Sequence, residues 1–233
     1  MIDAEAWFDG RSFAAFLFDM DGTLLDSIAA AERVWTRWAA QFGLDAATFL
    51  PGIHGRRVIE SVRSLNIPGI DVEEQAAAIT QAEIEDVVGV HAIAGAREFL
   101  ASLPKDRWAI VTSAPRTLAI RRLEAAGLRA PAIFITAEDI PKGKPDPACY
   151  QLAASRLGYE TQDCVVFEDA AAGIQAGEAA RAAVVVITAT HQHAMDTPHP
   201  TVRDYANLRT IAAAGGKLKI GPANESRMST FPR

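Results

Sequence analysis

Hydrophobic and polar positions divide this chain into two rhythms. From about residue 95 onward, short apolar runs alternate with helical stretches. WAIVT (108–112), AIFIT (132–136), CVVF (164–167) and AVVVIT (183–188) are short and continuously apolar, as strands buried on both faces are. Between and beside them, residues 96–103, 117–126, 147–157 and 170–180 carry helical spacing, and Gly127 and Gly158 stop two of these helices. A further run, 14–18, reads as a buried strand that ends abruptly at a charge and a glycine. The alternation predicts βαβ units. The expected fold class is therefore α/β, a Rossmann-like open parallel sheet with helices on both faces.

Residues 28–91 keep a different rhythm. Val34, Trp35, Trp38 and Phe42 recur at helical spacing before Gly43, so the two tryptophans read as helix-packing residues. Residues 56–65 and 72–88 give further helical stretches, and no strand pattern interrupts them. The region reads as an all-helical insert on two hinges, near 24–28 and 90–95. The expected organisation is a core from 1–27 and 92–215, a helical cap from 28–91, and a disordered tail from 216–233, because the stretch from Gly215 lacks periodicity.

Composition narrows the partners. The 233 residues are 49% hydrophobic and 22% charged, with a net charge of −6. An acidic chain argues against nucleic acid or an anionic membrane as the main partner, though not against a small anion. The two cysteines, Cys149 and Cys164, form no metal-binding spacing and no disulfide framework, which fits a reducing cytoplasm. MIDAEAWFDGRSF lacks the basic head and apolar stretch of a signal peptide. No segment approaches the ~20 apolar residues of a membrane helix. Nothing in the sequence demands more than a monomer or a weak homo-oligomer.

The candidate chemistry starts at FLFDMDGTLLDS, residues 16–27. Asp19 and Asp21 follow a strand and are expected to face the same way. Like charges so close call for a cation or a proton. Gly22 permits a sharp turn that Thr23 can lock. Ser113 and Ala114 follow the WAIVT strand, where Ser113 suits either a phosphate oxygen or a helix cap. Lys144, in KGKPDP, suits either an anion or plain solvation. Glu168 and Asp169 end CVVF, where Asp169 suits either a cation or a helix cap. In an open α/β sheet such strand ends converge on one site.

In this order the four motifs resemble the haloacid dehalogenase superfamily over roughly residues 13–210. The resemblance implies a magnesium-dependent phosphatase in which Asp19 is the nucleophile and Asp21 the general acid/base. It implies that Ser113, Ala114, Lys144 and the backbone at Met20 bind phosphate, with Thr112 competing for the hydroxyl role. Asp19, Asp21, Asp169 and Glu168 are implied around Mg²⁺. HGRR at 54–57, FITAEDIPKGKPDP and VVFEDAAAGIQAG look like the sugar- and polyol-phosphate phosphatase branch. That implies a cap loop at His54, Gly55, Arg56 and Arg57 that faces the substrate, the alternative for the arginines being a solvated helix start. The rival readings are a phosphosugar mutase, a dehalogenase and a non-catalytic phosphosugar-binding protein. No histidine lies between residues 26 and 43, where the resemblance puts one in mutases. A polar loop explains His191 and His193 better than a metal site does.

Overall fold

A computed structural model describes residues 10–222. The first strand, β1 (Ala15–Phe18), is an inner, fully buried strand of the main sheet. It pairs in parallel with β4 (Trp108–Val111) on one side and β6 (Cys164–Glu168) on the other. Outside these lie β5 (Ile133–Ile135), β7 (Ala183–Ile187) and β8 (Thr201–Val202). Together they form a six-stranded parallel sheet in the order β5-β4-β1-β6-β7-β8.

Strand alternation separates two cores. Phe16, Phe18, Ile110, Val165 and Phe167 point to one face, and Ala15, Leu17, Ala109, Val111 and Val166 to the other. On the first face an aromatic cluster forms with Phe99 of α4 (Ala96–Ser102), and the Phe18 and Phe167 rings stack 4.6 Å apart. Cys149 and Tyr150 of α6 (Ala148–Leu157) and Ile174 of α7 (Ala171–Ala179) cover the second face. The strands are continuously apolar because both faces are covered.

The helical insert contains α1 (Ile28–Gln41), α2 (Val58–Ser64) and α3 (Val72–Glu85). It has its own apolar cluster, in which Trp35 and Trp38 meet edge to face. The chain enters and leaves it through β2 (Leu25–Asp26) and β3 (His91–Ala92), which pair antiparallel with each other. The two segments expected as hinges are thus one short ribbon. The core helix α5 (Arg116–Ala125) packs against α3 of the insert.

One expectation is corrected. Residues after Gly215 are not without structure: β10 (Leu218–Pro222) pairs antiparallel with β9 (Leu208–Ala212) and bonds back to Phe13. Ile220 and Leu218 are buried while Lys219 is less so, a short alternation that Gly216 and Gly221 disguise in the sequence. Residues 223–233 of the expected tail lie outside the described residues. Among the described residues no helix is long and apolar enough to cross a membrane.

Candidate active site

The chemistry gathers beyond the C-terminal ends of β1, β4 and β6. The Asp19 amide donates to the Phe167 carbonyl at 2.9 Å, which fixes the end of β1 against that of β6. Lys144 reaches in from the loop before α6 and is 1% exposed, so plain solvation does not explain it. Its ammonium donates to Asp19 Oδ1 at 2.5 Å, Glu168 Oε1 at 2.6 Å and the Val111 carbonyl at 3.2 Å. All three of its donors are thereby used. Burial alone would lower its pKa, but Asp19 and Glu168 raise it above the ordinary lysine value.

Glu168 is also fully engaged. Oε1 accepts from Lys144 and from the Tyr150 hydroxyl, and Oε2 from the amides of Asp169 and Ala170. Asp169 accepts from the Thr23 hydroxyl at 3.2 Å. The Thr23 side chain thus ties the Asp-Gly-Thr turn to β6. Two glycines make room for these acids. A Cβ at Gly22, whose φ is +83°, would sit 2.0 Å from Asp169 Oδ2, and one at Gly173 would sit 1.7 Å from Glu168 Oε1. α7 starts after Ala170 and α5 after Pro115, with no side-chain cap on either, so neither Asp169 nor Ser113 serves as a helix cap.

Asp19, Glu168 and Asp169 present carboxylate oxygens within 4.8 Å of one another. Burial, and then mutual repulsion, push Asp19 and Asp169 well above the usual carboxylate range, against the pull of Lys144. Three buried acids with one lysine leave uncompensated negative charge, which a divalent cation would neutralise. Hard oxygen ligands of this kind fit such an ion. Glu168 already accepts four donors, so it contributes mainly charge. Asp19 and Asp169 are the residues with room to ligate.

Asp21 departs from expectation. Its carboxyl group stands apart from the acidic cluster of Asp19, Glu168 and Asp169. Its Oδ1 instead accepts from the Ser27 hydroxyl at 2.6 Å and from Arg122 Nη1 at 3.0 Å. The chain turns at Gly22 after leaving β1, so strand alternation no longer governs where Asp21 points. Asp19 and Asp21 nevertheless line the same pocket between core and insert, with His54, Gly55 and Arg56 on the insert side.

The remaining expected residues divide in the same way. Ser113 and Ala114 line the pocket, but the Ser113 hydroxyl donates to the Gly55 carbonyl of the insert at 2.8 Å. Thr112 accepts from the Ala114 amide, a turn-locking bond. The Met20 side chain lies in the apolar core and its carbonyl receives the Leu24 and Leu25 amides, so only its own amide is left for an anion. His54 faces Glu32 at 3.5 Å, and burial holds its pKa below the usual histidine value despite that partner.

Arg57 stands apart from the pocket that Asp19 lines, and it is half-buried. Its guanidinium donates to the carbonyls of Ala137, Ile140 and Pro141 and so ties the insert to the core. Sequence reasoning missed Arg122, Glu83, Tyr150 and the hydroxyl of Ser27. His191 supports the site from outside, with its ring nitrogen 2.9 Å from the Asp169 carbonyl.

A parallel α/β sheet whose strand ends bring together a lysine-paired aspartate, a second aspartate and an acidic pair, beneath a helical insert, defines a hydrolase built for phosphoryl chemistry. The chain belongs to the haloacid dehalogenase-like hydrolases, whose family model matches residues 13–181. Hexitol phosphatase A of Escherichia coli is 41% identical over 78% of this chain and 85% of its own length. The 2-deoxyglucose-6-phosphate phosphatase 1 of Saccharomyces cerevisiae is 34% identical over 75% of this chain and 80% of its own. Among solved structures, a hydrolase from Pseudomonas syringae superposes with a TM-score of 0.68 at 27% identity, over 77% of this chain and 87% of that one.

Proposed function

We propose that this phosphoric monoester hydrolase removes phosphate from small sugar or polyol phosphates through a phosphorylated Asp19. The observation that carries the reading is the placement of Asp19 and Asp21 in one pocket. Asp19 is backed by Lys144 on the floor, and Asp21 is held beside the insert. The relatives named as phosphatases of hexitols and deoxyglucose support the substrate class.

Asp19 attacks phosphorus in line and forms an aspartyl phosphate as the ester oxygen departs. Asp21 gives the departing alkoxide a proton, then takes one from the water that cleaves the acyl phosphate. Inorganic phosphate and the alcohol leave, and Asp19 and Asp21 return to their starting states. Lys144 offsets negative charge while two anions approach. Mg²⁺ held by Asp19 and Asp169 would keep those carboxylates ionised and neutralise phosphoryl charge. The Ser113 hydroxyl and the Met20 amide donate to the phosphoryl oxygens, and the Ala114 amide joins them only by leaving the Thr112 hydroxyl. For Ser113 this means exchanging the Gly55 carbonyl for phosphate. The required lowering of the barrier is on the order of 20 kcal/mol, more than any single contact supplies. Alignment and charge must therefore act together.

In this reading residues 28–91 act as a cap that excludes water, with His54, Gly55 and Arg56 reading the leaving group. The enzyme works in the cytoplasm, where its two buried free cysteines stay reduced. The test is phosphate release from a panel of hexitol, pentose, deoxyhexose and glycerol phosphates, with Mg²⁺ and with EDTA. Magnesium-dependent release is expected. Conversion of one phosphosugar isomer into another without release would make the protein a mutase instead.

A further inference from the structure

One buried ion cluster lies outside the acidic floor. Arg122 projects from α5 of the core and is only 8% exposed. One arm of its guanidinium donates to Asp21 at 3.0 Å, and the other meets Glu83 of α3 at 3.2 Å. Glu83 is 4% exposed and belongs to the cap. A fully desolvated Arg–carboxylate pair across two bodies is costly to keep unless both partners stay in place. The planar fork of arginine fixes direction as well as charge, which a lysine would not do.

Both bonds to Asp21, from Ser27 and from Arg122, fall on Oδ1. They fix the plane of the carboxyl group and turn its other oxygen away from these donors. Burial opposes the charge on Arg122, but Asp21 and Glu83 hold its pKa above the ordinary value, so it stays a cation.

We propose that Arg122 is the positioning residue that aims Asp21 at the leaving oxygen, and that its second arm, on Glu83, makes this aim depend on the seating of the cap. The inference rests on the acid/base role proposed above for Asp21. The cap would then do more than exclude water: its arrival would complete the alignment of the acid through one side chain.

The test compares two leaving groups. A sugar or polyol alkoxide needs a proton from Asp21, whereas p-nitrophenolate leaves without one. Removing one partner strands a buried charge and can loosen the fold. The main variant is therefore the double replacement Arg122→Met with Glu83→Met, which refills the space with apolar side chains. Arg122→Lys is made beside it, and thermal unfolding is followed for all three proteins.

For the double variant, kcat/KM, which reports only the steps up to phosphoryl transfer to Asp19, should fall on sorbitol 6-phosphate by at least about tenfold more than on p-nitrophenyl phosphate, within the range general acids contribute. Arg122→Lys should recover only part of that excess. Equal falls in kcat/KM on both substrates, or no fall on either, would overturn the positioning role. Wild-type protein that hydrolyses p-nitrophenyl phosphate but no sugar or polyol phosphate would instead defeat the proposed substrate class, and this inference with it.

Discussion

On the floor of the pocket, Lys144 binds Asp19, Glu168 and the Val111 carbonyl, all held by neighbouring strands of one sheet. On the cap-facing wall, Arg122 binds Asp21 of the core and Glu83 of the insert. The floor is held within the core: every donor of Lys144 and four acceptor positions of Glu168 are filled there. The wall joins two separately packed apolar clusters, one of the core and one of the insert. In the proposed mechanism the chemistry that every phosphate ester shares falls to the floor held within the core, and the chemistry that depends on the leaving group falls to the wall between core and insert.

The floor is tested most sharply at Asp19. Asp19→Asn should lower turnover by at least about a thousandfold on every substrate while the fold persists, as loss of a nucleophile does. Circular dichroism and kcat on two unlike phosphates would check this. Residual activity above a few per cent of wild type would remove Asp19 from its role. Asp169→Asn should raise the Mg²⁺ concentration needed for half-maximal activity by about 10–100-fold, as changes around a metal site do. An unchanged metal titration would mean that Asp169 serves only the Thr23 turn.

Gly22→Ala probes the same floor through the backbone. It adds a Cβ 2.0 Å from Asp169 Oδ2 at a left-handed φ. We expect a loss of roughly 1–3 kcal/mol in denaturant unfolding, with activity falling alongside. Wild-type stability would show that the turn relaxes freely. The smallest effect belongs to the cap tie. Arg57→Ala removes three bonds to core carbonyls, for about 1 kcal/mol of stability, and should leave the ranking of substrates intact. A reordered ranking would return Arg57 to the pocket and undo the contrast between wall and tie.

The floor was legible in the sequence because its signals are local. Each acid lies at the end of an apolar run, Lys144 sits in a Gly-Lys-Pro turn between two such runs, and the alternation of those runs with helices marks a parallel sheet. Trp35 and Trp38 were legible as packing for the same reason. The wall was not legible. Arg122 shares the buried face of α5 with Leu118, Ala119 and Leu123, and Glu83 that of α3 with Ala76 and Ile79. A charge set in an apolar stripe is the only trace either leaves, and nothing in the sequence says that the two stripes face each other. The contacts of Arg57 were not legible because its partners are backbone carbonyls, which carry no sequence signature. The β9–β10 hairpin escaped because its strands are only half-buried and its glycines mimic a loose end.

The central claim is that phosphate passes through Asp19, and one experiment meets it directly. The enzyme would be quenched in acid during turnover of sorbitol 6-phosphate with Mg²⁺, digested, and its peptides mapped by mass spectrometry. The account predicts one phosphorylated peptide, modified at Asp19 and absent from the Asp19→Asn protein. Rapid phosphate release with no phosphorylated peptide, from wild type and Asp19→Asn alike, would contradict it.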